Sequence, residues 1–175
     1  LFLITYIALY LSVDSSSQSL IAHDEGLYAR RARLLEESNN WFSPPFNEAH
    51  HKTLGSYWLI ALAIKFFGFS ELSIRFPSFI CSLLNLILVY FITRELSNIK
   101  ASIISVISLT AMPLWIQYSK YASPDMAYVL CILLSIYSII KAFSSSSNNK
   151  YKFLFLSTFS LSLAFFLRSY MVIIP

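Results

Sequence analysis

The sequence predicts an all-α, polytopic transmembrane helical bundle whose first loop lies on the outer face and carries amphipathic juxtamembrane helices. Three observations carry that expectation. Hydrophobic residues make up 57% of the 175 and charged residues only 13%, with a mean hydropathy of +0.62, whereas an ordinary soluble domain has about 25% charge. The apolar residues fall in runs, several of which approach the roughly 20 residues a helix needs to cross a bilayer. Between the first runs, residues 23–52 form a polar island holding Asp24-Glu25, Pro44-Pro45 and His50-His51-Lys52. Carboxylates at a membrane edge persist where they are solvated or paired, so such an island is a wet loop or a site. It reads as a site.

Taken in order, residues 1–13 are apolar but too short to span, and are read as a partial span. Leu1 is not an initiator Met, and the run at 153–175 stops without an exit loop. The expectation is therefore the N-terminal part of a longer polytopic protein. Residues 14–71 form the outer loop. Within it, Leu27, Leu34 and Leu35 recur at helical spacing with the charges mainly opposite, which predicts an amphipathic helix lying on the membrane. The apolar run 54–69 contains Lys65 and is short for a span, which suits a juxtamembrane or re-entrant helix. Full spans are expected at 72–93, 101–118, 126–143 and 153–175, the first with Arg75 near its start.

Charge sets the expected topology. Arg94 and Lys100 bracket one short loop, and Lys141, Lys150 and Lys152 mark another; short basic loops are normally cytoplasmic. The link 119–125 then faces the other side, together with the island if 54–69 does not cross. Arg30, Arg31, Arg33 and Lys52 run against the rule there, offset by Glu36, Glu37 and Glu48. Trp115, Tyr118 and Tyr121 are amphipathic aromatics suited to headgroup depth, which brings Asp125 near the surface. The net charge of +4 comes without a dense basic tract, so no nucleic-acid partner is expected. Cys81 and Cys131 sit inside apolar runs, where buried packing is expected rather than a disulfide.

Several residues have the chemistry of a site. Asp24 opens the amphipathic segment, as a helix N-cap or as a rigidly oriented base. His50 and His51, with Asp24 or Glu25, offer mixed ligands for a divalent metal, or are solvated loop histidines. Lys52 is a compact charge suited to a lipid phosphate, or one that snorkels to headgroups. Asp125 follows Pro124 at the start of a span, a cap position. Arg168 lies in an apolar run and needs a partner or a wet cavity, so it binds an anion or snorkels outward.

The order of residues then becomes recognisable. Asp24-Glu25 with Tyr28, Trp41 and Pro44, Lys52 before Tyr57-Trp58, Phe67-Gly68, Glu71, Arg75-Phe76-Pro77-Ser78 and finally Ser123-Pro124-Asp125-Met126 resembles the GT-C glycosyltransferases of the protein mannosyltransferase and aminoarabinose transferase superfamily. The resemblance implies an integral-membrane enzyme of a bacterial inner membrane that passes a sugar from a polyprenyl-phosphate donor to a protein, lipid or glycan acceptor on the non-cytoplasmic face with inversion. It implies Asp24 as the catalytic residue and Lys52 as a contact to the donor phosphate, with Glu25, Tyr28, Asp125 and Arg168 as further substrate-binding candidates. Lys52-Thr53-Leu54-Gly55 stands where the family often has Lys-Pro-Pro-Leu, Arg168-Ser169-Tyr170 where it has Lys-Gly-Pro, and His51 where some relatives place a metal-binding Glu. The rival readings are a multi-span transporter, with Lys65 and Arg168 lining a path, and a non-catalytic membrane fragment.

Overall fold

The structure is a computed structural model and describes residues 24–42, 53–145 and 147–168. Among these residues there are seven helices and no strand. The partial span expected at 1–13 lies outside the described residues.

Helix α1 (Asp24–Ser38) presents to the interior a stripe of Glu25, Tyr28, Ala29, Ala32 and Leu35, all buried, at the spacing of one helical face. That corrects the expected Leu27-Leu34-Leu35 face, since Leu27 and Leu34 are only half-buried. Close packing decides the phase here: the small Ala29 and Ala32 join Ala61 and Ile64 of the next helix in one core cluster, and Tyr28 meets Tyr57. The charges also do not all lie opposite, because Glu25 and Arg31 are buried. Asn39, at φ 51°, takes the left-handed conformation that ends the helix.

Helix α2 (Gly55–Phe67) has 13 residues and is thus about 20 Å long, short of a hydrocarbon core of about 30 Å. It packs its buried face on α1 and α3. Gly68 stops it at φ 78° with its N–H donating to the Ile64 carbonyl at 2.8 Å, a backbone region in which only glycine is unstrained. Ser70 and Ser73 then form a reciprocal cap, each backbone N–H donating to the other's hydroxyl, which starts α3 (Glu71–Leu96).

Three helices carry segments long and apolar enough to cross a membrane: α3, α6 (Asp125–Ser144) and Asn149–Arg168 of α7 (Ser147–Arg168). Helices α6 and α7 form an antiparallel pair joined mid-way by the Ser135 and Ser157 hydroxyls, 2.8 Å apart. The segment expected as one span at 101–118 is instead broken into α4 (Ile99–Thr110) and α5 (Pro113–Lys120), bent by 68°. Proline is the reason. Met112 is extended, at ψ 124°, as a residue before proline must be, and Pro113 restarts the helix at its first position, where its missing N–H does no harm. Cys81 and Cys131 are free thiols within one buried cluster.

The long helices give the bundle two ends. Ser78 and Asn85 of α3 meet Ser123 and Met126 at the start of α6, while Glu95 meets Lys141 near the far ends of the same two helices. Helices α3 and α6 therefore run parallel. The start of α2 and the end of α7 lie at the first of these ends, as does the start of α1.

Candidate functional site

The end of the bundle that gathers the start of α1, the 121–124 link and the last turn of α7 also gathers three of the charged candidates, Glu25, Asp125 and Arg168. Glu25, in the first turn of α1, meets Arg75 of α3 through a fork: Nε donates to Oε1 at 2.9 Å and Nη2 to Oε2 at 3.1 Å. The same Oε1 accepts the backbone N–H of Ala122 at 3.0 Å. The two side chains are 4% and 3% exposed, so this is a charge-assisted pair wholly inside the protein. Glu25 was expected to bind substrate; its carboxylate is turned inward and engaged on both oxygens. Tyr28, expected in the same role, is likewise buried, packed against the Tyr57 ring at 5.7 Å between centroids. The phenol of Tyr57 in turn accepts from Arg31 Nη1 at 2.8 Å, with the guanidinium 5.7 Å from its ring centre.

Asp125 and Arg168 are brought together. They form an ion pair between the first residue of α6 and the last of α7, with side chains 22% and 32% exposed. Pro124 holds the N-cap position of α6, so Asp125 stands inside the first turn, and its carboxylate meets Arg168. Arg168 thus has a protein partner, where the sequence suggested a bound anion or snorkelling.

One further junction joins the start of α2 to the end of α7. Thr53 Oγ1 and Ser56 Oγ both donate to the Leu167 carbonyl, each at 2.8 Å, taking up one of the carbonyls that a helix C-terminus leaves without a partner. Gly55 makes that approach feasible, because a Cβ there would stand 2.7 Å from the Phe166 carbonyl oxygen. Trp58 packs edge-on against the Phe166 ring at 5.1 Å. Arg168, next in sequence to Leu167, ends α7 at this same junction. The side chain of Asp24, and Lys52, His50 and His51, lie outside the described residues; the backbone of Asp24 opens α1. Among the described residues no three His, Cys, Asp or Glu side chains come together to hold a metal ion, so no chemistry is derived through one.

Sequence reasoning passed over Arg75 as a site residue. The signal was present: an arginine inside an apolar helix requires a partner, and the test applied to Arg168 applies equally to Arg75. Arg31 and the Ser78–Ser123 contact, with Ser78 Oγ donating to the Ser123 carbonyl at 3.0 Å, were missed as well.

Comparison with known proteins bears on this end of the bundle. The family model described as dolichyl-phosphate-mannose-protein mannosyltransferase matches residues 51–175. An undecaprenyl phosphate-alpha-4-amino-4-deoxy-L-arabinose arabinosyl transferase of Wigglesworthia glossinidia brevipalpis is 29% identical over 153 residues, covering 86% of this chain and 27% of that protein. An uncharacterized protein of Aquifex aeolicus (strain VF5) is 28% identical over 117 residues, covering 65% of this chain and 23% of that protein. The crystal structure of ArnT from Cupriavidus metallidurans in the apo state superposes with a TM-score of 0.87 at 18% identity, over 99% of this chain and 34% of that one. The same protein bound to undecaprenyl phosphate also gives 0.87, over 98% and 33%. The chain spans about a quarter of the length of these curated relatives. The apolar helices and the membrane-protein fold they share make it an integral membrane protein.

Proposed function

The chain belongs to the dolichyl-phosphate-mannose-protein mannosyltransferase family, and on that premise we propose that it forms part of the active centre of a membrane glycosyltransferase that moves a sugar from a polyprenyl-phosphate donor to a protein, lipid or glycan acceptor. The relatives named as undecaprenyl-phosphate-linked arabinosyl transferases support a donor of this kind, as does the similar fold that binds undecaprenyl phosphate. Their bacterial sources support the inner membrane as the location, with the active end on the non-cytoplasmic side.

The observation that carries the reading is the convergence at one end of the bundle of the first turn of α1, the Asp125–Arg168 pair and the junction between the start of α2 and the end of α7. Asp24 acts as general base. It removes the proton from the acceptor hydroxyl or amine while that group attacks the anomeric carbon, and the bond from that carbon to the phosphate oxygen breaks with inversion. Lys52 and Arg168 stabilise the charge that develops on the departing lipid phosphate. Asp125 holds the Arg168 guanidinium at this end before the donor arrives and shares it with the phosphate afterwards.

Transfer from a radiolabelled polyprenyl-phosphate sugar, measured with the full-length protein that carries this chain, tests the assignment. Asp24→Asn should lower turnover by about 10²–10⁴-fold, the range for a well-placed general base, with unchanged membrane insertion. Near-normal turnover would remove Asp24 from that role.

A further inference from the structure

We infer that Glu25 and Arg75 are a positioning pair for this reaction: their buried fork fixes the first turn of α1 against the 121–124 link and so sets where Asp24 stands relative to Asp125. The inference rests on the glycosyltransferase reading and deepens it.

Three features of the geometry support it. The fork is bidentate, so it fixes direction as well as distance between α1 and α3. The carboxylate oxygen nearer Nε also accepts the Ala122 N–H, which makes Glu25 the point where α1, α3 and the link meet. One turn along α3 from Arg75, Ser78 binds the next residue of the link through its hydroxyl, donating to the Ser123 carbonyl and accepting the Ser123 N–H at 3.4 Å. The link leads directly through Pro124 to Asp125, and Glu25 follows Asp24. One carboxylate thereby holds the backbones of both acid-bearing segments.

The energetics point the same way. A buried ion pair seldom stabilises a fold more than well-packed apolar residues of similar volume, and fixing a unique geometry is a better account of its presence. Geometry is also what the chemistry needs, since a misplacement of about 1 Å lowers a rate by about 10²-fold. Glu25 is too buried to touch substrate; it acts through Asp24.

The test separates folding from positioning in the full-length protein. Glu25→Gln and Arg75→Gln each take the forked counter-charge away from a buried charge, so both should lower the melting temperature and turnover. In the double variant Glu25→Gln/Arg75→Gln no charge remains, and melting should return towards the parent value. A positioning role predicts that kcat nevertheless stays at least about 10-fold down, with the donor KM unchanged. The double variant Glu95→Gln/Lys141→Gln, at the opposite end of the same helices, should leave kcat and KM unaltered. If kcat recovers together with melting in the Glu25/Arg75 double variant, while Asp24→Asn remains inactive, the pair is structural and the inference falls alone. If Asp24→Asn retains turnover, the catalytic reading falls and takes the inference with it.

Discussion

The two ends of the α3–α6 pair hold the same kind of interaction in opposite settings. At one end Glu25 and Arg75 are 4% and 3% exposed, and Glu25 also accepts a backbone N–H from the 121–124 link. At the other, Glu95 and Lys141 meet at 2.6 Å with side chains each 28% exposed. The first pair joins three segments of chain; the second joins two helices that already lie side by side. Burial is what separates them. An ion pair in water gains little because solvent screens it and two long side chains must be held still, whereas a buried charge is bound to its partner by the penalty of being left alone.

Substitutions should therefore behave differently at the two ends. Arg75→Leu removes the counter-charge of the buried Glu25 carboxylate and should destabilise the protein by about 3–5 kcal/mol, seen as a large drop in the thermal melting of the detergent-solubilised protein. If that drop were absent, the two ends would not differ in kind. Gly55→Ala tests the same end through packing rather than charge. The new methyl meets the Phe166 carbonyl, and backbone has little room to yield. A loss of about 1–3 kcal/mol is expected, the range for overpacking, together with easier proteolysis between α1 and α2. Lys141→Gln, at the far end, should produce no measurable change in melting.

The contrast also explains how much could be read from the sequence. Long apolar runs revealed α3, α6 and α7, because length and composition alone decide whether a helix suits a bilayer. The break between α4 and α5 was written in Met112-Pro113, yet the apolar character of the whole stretch hid it. In α1 the leucines drew attention to one face, while contact with α2 selected another through Tyr28, Ala29 and Ala32. Small residues carry little hydrophobic weight but allow helices to approach, so a periodicity count undervalues them. Among the described residues, Glu25, Asp125 and Arg168 could be nominated as candidates from residue type and order. The pairing of Asp125 with Arg168 could not, nor could that of Glu25 with Arg75 across 50 positions. These depend on which helices run parallel, and that information is not local.

The hydroxyls of Thr53 and Ser56 give the molecule a timetable. Their acceptor at Leu167 is synthesised 114 and 111 residues later, a delay of about 6–22 s at the usual elongation rate of about 5–20 residues per second. Helix α2 can meet α1 and α3 well before then, but its first turn has no seat until the end of α7 has left the ribosome and entered the membrane. The junction between the start of α2 and the end of α7 is thus among the last parts of this region to form, and this end closes only after the bundle beneath it is built.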